Sequence, residues 1–145
     1  MFRLLAVTLL VAAASATSFD KCVSGPSPLE VRVSGCDTQP CEFKRGKNIV
    51  AEVDIAIDHA VSKLTPQVKA TSAGITIDYP LPQQDGCKSL TNSECPLAAG
   101  EEVTYRLEMP ILEAYPLVTV DIQFTLVDQD KKAVECFQIT GQVVN

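Results

Sequence analysis

In four clear stretches of the chain, apolar residues alternate with polar ones at a spacing of two. Turn residues punctuate the intervals, and no stretch sustains a helical period. These observations predict an all-β fold, an antiparallel β-sandwich of immunoglobulin type with roughly seven strands. Six cysteines, an even count, add a disulfide framework to that prediction.

At the N-terminus, residues 1–16 carry one cation, Arg3, then the apolar run 4–14, and end in Ala14-Ser15-Ala16. That is the pattern of a secretory signal peptide, and it is too short for the ~20 apolar residues of a membrane span. The working chain is then residues 17–145, a single exported domain of roughly 129 residues, long enough to bury a core. The formal net charge is −6, and losing Arg3 with the leader takes it to −7. Such a chain lacks a basic nucleic-acid footprint and is repelled on average by anionic membranes.

The strand candidates follow in order. Residues 29–33 form the first. Val53, Ile55 and Ile57 alternate with Asp54 and Ala56, so one face is buried and one is wet. Residues 68–70 form a shorter candidate. Ile75, Ile77 and Tyr79 alternate with Thr76 and Asp78, and Val103, Tyr105, Leu107 and Met109 with Thr104, Arg106 and Glu108. Val118, Val120, Ile122, Phe124 and Leu126 make the longest run, and residues 134–144 the last candidate. Between them lie Gly25-Pro26, Gly35, Gly46, Pro66, Gly74, Asp85-Gly86, Pro96, Gly100 and residues 128–130 as turn signals. Two Tyr-Pro pairs, Tyr79-Pro80 and Tyr115-Pro116, stop two of the alternating stretches. Proline cannot donate a ladder hydrogen bond, so Pro80, Pro82, Pro110 and Pro116 restrict pairing at those edges.

The cysteines are Cys22, Cys36, Cys41, Cys87, Cys95 and Cys136, and spacing alone allows fifteen connectivities. Cys36/Cys41 and Cys87/Cys95 each enclose a short turn, which leaves Cys22 and Cys136 to close the domain. A metal centre is not expected, because no CxxC pair occurs and the sole histidine is His59.

Motif order makes the chain recognisable. Asp20-Lys21-Cys22, Gly35-Cys36-Asp37-Thr38-Gln39-Pro40-Cys41 with Gly46 behind it, and Tyr79-Pro80-Leu81-Pro82 come first. Asp85-Gly86-Cys87-Lys88-Ser89, Cys95-Pro96-Leu97, Tyr115-Pro116, Leu126-Val127-Asp128 and Cys136-Phe137 follow. Together they resemble the ML lipid-recognition family over essentially the whole of residues 17–145. Within it the chain looks most like the soluble Niemann-Pick type C-2 (epididymal secretory) proteins, arthropod members above all, with group 2 mite allergens more distant. The resemblance implies a sandwich whose sheets splay to hold a lipid, with bridges Cys22–Cys136, Cys36–Cys41 and Cys87–Cys95. It also implies a pocket lined by Tyr79, Ile111 and Tyr115, and the inward neighbours Ile77, Val120 and Phe124 extend the candidate site. The chain departs from the pattern in carrying Tyr79 where sterol carriers have phenylalanine, and Phe124 and Phe137 where tryptophans are common. A buried Tyr79 phenol needs a partner, which a ligand hydroxyl or carboxyl would supply. The stretch 69–74, often an apolar docking loop in the family, is polar here.

The expected function is carriage of a small apolar ligand, a sterol or fatty acid, by a secreted monomer that makes transient contact with a membrane or lipid transporter. A recognition module for microbial lipids, or an adhesion sandwich without a cavity, is the alternative. Neither cofactor nor catalysis is expected: the thiols are committed to bridges, no G-x-S-x-G occurs, and His59 reads as an exposed loop residue. Asn48 and Asn92 do not begin an N-x-S/T sequon. This favours an extracellular destination over glycan-tagged delivery to lysosomes.

Overall fold

A computed structural model describes residue 8 and residues 16–145, so apart from positions 8 and 16 the predicted leader lies outside the described residues. The strands in chain order are β1 (Asp20–Lys21), β2 (Glu30–Val33), β3 (Cys41–Lys44), β4 (Lys47–Ala56), β5 (Thr65–Ser72) and β6 (Ile75–Tyr79). After a 3-10 turn at Gly86–Ser89 come β7 (Glu102–Ile111), β8 (Thr119–Val127) and β9 (Ala133–Val144). They form two sheets. The larger runs β1-β9-β8-β5-β6, with β3 also paired to β9, and the smaller runs β2-β4-β7. All pairings are antiparallel except β3 with β9.

The fold is the predicted all-β sandwich, with two more strands than the alternation suggests. β1 is two exposed residues, too short to alternate. In β3 only Cys41 and Phe43 turn inward, between Glu42 and Lys44. β4 also starts earlier than Val53, at Lys47, because Lys47 to Ala56 pair residue for residue with Ile111 to Glu102.

The core fills the space between the sheets. Val53 and Ile55 on β4 and Val103, Tyr105, Leu107 and Met109 on β7 are buried, facing Phe124 and Leu126 on β8 and Phe137 and Ile139 on β9. Phe124 contacts both Tyr105 and Phe137 at ring-centroid distances of 5.4 and 5.5 Å. Tilted aromatic packing of this kind adds to the stabilisation from burial alone. Bridges Cys22–Cys136, Cys36–Cys41 and Cys87–Cys95 are formed, the first spanning 114 positions. Among the described residues no cysteine is free.

His59 departs from the exposed loop position expected of it. Its ring is half-buried after β4, with Nδ1 2.5 Å from Asp58 and Nε2 2.7 Å from the buried Asp128. Hydrogen bonds accepted by Asp58, then by Asp128, raise the imidazole pKa above its ordinary 6.5.

Candidate ligand-binding cavity

Toward the start of β8 the two sheets part around a cavity of about 330 Å³. β7 supplies Met109 and Ile111 to one wall, and β8 supplies Val120 and Ile122 to the other. Phe43 on β3 and Val143 on β9 close the inner side, Ile75, Ile77 and Tyr79 on β6 form a flank, and Tyr115, Pro116 and Val118 come from the β7–β8 connection.

The structure thus brings Tyr79, Ile111, Tyr115, Ile77 and Val120 around one space. Phe124 is not brought there. Two positions beyond Ile122 on the same strand, it is 1% exposed and belongs to the aromatic core between Tyr105 and Phe137. Ile75 and Ile77 remain 69% and 57% exposed, because the smaller sheet does not extend over β6. Their alternation signals a strand without revealing that its apolar side borders a cavity.

Phe43 and Gly141 are a pair that alternation does not disclose. Gly141 on β9 lies between Cys41 of β3 and Val120 of β8. A Cβ there would collide with the Phe43 ring, so glycine lets that ring lie against the sheet and form the cavity wall.

Few polar groups reach these walls. Ser72 Oγ donates to the Thr119 carbonyl at 2.9 Å, and the Tyr79 hydroxyl donates to the Pro110 carbonyl at 2.7 Å. The partner expected from a ligand is therefore supplied by β7 itself. Burial, then the neighbouring Tyr115, push the Tyr79 phenol above its usual pKa, so it stays protonated and donating. The Tyr79 and Tyr115 rings meet edge to face at 6.3 Å. The walls are otherwise aliphatic and aromatic, so the site can hold an apolar molecule.

The polar stretch 69–74 is mostly strand. Residues 69–72 lie in β5, and only Ala73-Gly74 make the turn, with Ser72 paired to Ile75. From the facing turn, Arg45 donates to the Tyr115 carbonyl at 3.2 Å and holds the β7–β8 connection in place.

Comparison with known proteins agrees with this architecture. The chain is 29% identical to mouse (Mus musculus) "NPC intracellular cholesterol transporter 2" over 99% of each protein. It is 32% identical to "Mite group 2 allergen Lep d 2" of Lepidoglyphus destructor, again over 99% of each. A crystal structure of a Niemann-Pick type C2 protein from Japanese carpenter ant superposes with a TM-score of 0.78 at 17% identity, covering 88% of this chain and 99% of that one, which bears on the fold alone. Residues 16–143 match the model of the ML domain, and the chain belongs to the ML domain family.

Proposed function

We propose that this protein is a secreted carrier that holds one small apolar lipid, a sterol or a fatty acid, between its two sheets. The carrying observation is the cavity, walled almost wholly by aliphatic and aromatic side chains inside an otherwise packed core. A ligand seated there would give the lining van der Waals partners on its open side. The relatives named as cholesterol transporters support the same reading.

Affinity of a useful size follows. Burying a chain of about sixteen methylenes at ~0.8 kcal/mol each gives ~13 kcal/mol. Association and ordering subtract ~4 to 15 kcal/mol, so submicromolar binding is reached only toward the low end of that cost, which a preformed cavity favours.

The test is mass spectrometry of an organic extract from natively secreted protein, beside the same extract from Ile111→Trp. Ile111 is buried at the cavity wall, so an indole there fills the space. A lipid recovered near one per chain and lost in the variant supports the carrier. Clean extracts from both, with no uptake of added oleate or cholesterol, would overturn it in favour of a recognition or adhesion module.

A further inference from the structure

On the flank of the cavity a side-chain hydrogen bond runs from one sheet to the other. β6 is the edge strand of the larger sheet and β7 that of the smaller. Among the described residues no backbone ladder joins these two edges, and prolines stand at both. Pro80 follows Tyr79 directly, and Pro110, paired on its other side with Asn48, has no N–H to offer. What joins the edges at this point is the Tyr79 hydroxyl on the Pro110 carbonyl, at 2.7 Å. Both residues are beside the cavity wall: Tyr79 lines it directly, and Pro110 lies between the lining residues Met109 and Ile111.

We propose that this hydroxyl is a clasp that sets the width of the cavity and so selects among ligands by shape. The inference rests on the carrier reading and deepens it. At about 330 Å³ the cavity stands near the small end of the ~300 to 1,000 Å³ range of small-molecule pockets. A flexible hydrocarbon chain can follow the existing contour with the clasp closed. A rigid, wide ring system must part β6 from β7 and break the bond. The clasp therefore imposes a cost on wide ligands that narrow ones avoid. Phenylalanine at position 79 keeps a ring of the same shape and removes the hydroxyl that bonds Pro110.

The experiment compares wild type with Tyr79→Phe, measuring dissociation constants for palmitate and for cholesterol, and amide hydrogen exchange of β6 in the ligand-free protein. The cholesterol-to-palmitate affinity ratio is expected to rise by roughly three- to ten-fold, the span that the net worth of one hydrogen bond allows. Exchange in β6 should quicken, because the edge has lost its tie to the other sheet. If wild type binds a probe yet the variant leaves the ratio and the exchange rates unchanged, the clasp is refuted and the carrier stands. A wild type that binds neither probe overturns the carrier reading and this inference with it.

Discussion

Glu135 lies on β9, two positions from Phe137, fully buried, and neither carboxyl oxygen has a hydrogen-bond partner among the described residues. Burial pushes its pKa well above the ordinary 4.5, because the charged form has no partner there to replace water. The folded state then retains a proton that the unfolded chain gives up above pH 4.5. Stability falls as pH rises from there, by up to ~1.4 kcal/mol per pH unit until the folded pKa is reached. Replacing Glu135 by Leu is expected to raise unfolding free energy at pH 7 by about 1 to 3 kcal/mol, the usual cost of an unsatisfied buried polar group. The gain should shrink at pH 5, and urea denaturation at the two pH values measures both; a variant less stable than wild type at pH 7 would contradict this. Glu135 was not legible as buried, because a carboxylate in a strand ordinarily marks the wet face. The prolines beside Tyr79 and Tyr115 mark where pairing stops, but only the family resemblance pointed to these two as wall residues. Phe124 shares the inward face of β8 with Val120 and Ile122, and one strand's alternation cannot tell core from cavity wall.

At the scale of elements, the β5–β6 hairpin shows how a local conformation governs the cavity flank. Its two-residue turn needs left-handed backbone at both positions, and Ala73 (φ 50°) and Gly74 (φ 77°) adopt it. Glycine does so freely, whereas the alanine Cβ is strained there, and asparagine is the residue this turn prefers. Ala73→Asn is expected to stabilise the fold by up to ~1 kcal/mol, read as a higher urea midpoint with an unchanged slope. A lower midpoint would show that the turn is not limiting. Gly74 was legible as a turn, but its Ala73 partner carries no turn signal, so strand β5 read as ending at residue 70. β4, β7 and β8 were legible because each carries a run of alternating apolar and polar residues, whereas β9 was only a less regular candidate, since residues 134–137 are buried in succession. β1 and β3 were not, since their places come from the Cys22–Cys136 bridge and from pairing with β9, contacts distant in sequence.

For the whole molecule, the end of the sandwich remote from the cavity is locked by charge. His59 ties the segment after β4 to Asp128 in the β8–β9 turn, where Asp128 also accepts from the Asp130 and Lys132 amides. The Asp58 pKa is lowered by its bond with His59. Burial works to raise that of Asp128, but His59 and the two amides outweigh it, so it too falls below 3.8. Lys132 is the other charge near Asp58. The imidazole's contribution is fully present below its ordinary 6.5 and is lost as pH rises through its raised folded value. The two carboxylates' contribution is present above 3.8 and disappears as pH falls through their lowered values. Glu135 acts in the same direction as His59. Thermal stability is therefore expected to peak between about pH 4 and 6.5 and decline toward pH 8, the decline being shallower in His59→Gln. A melting temperature that rises from pH 6 to 8 would reverse the sign of this account. At the opposite, open end the two sheets are joined very unequally. Only Arg45 and Gly46 separate β3, in the larger sheet, from β4, in the smaller, and two residues reach no more than about 7 Å. That corner ties the two sheets closely on one side, whereas β6 lies on the other. On the β6 side Ile75 and Ile77 stay exposed beside the cavity, so the domain has a hinged back and an open front.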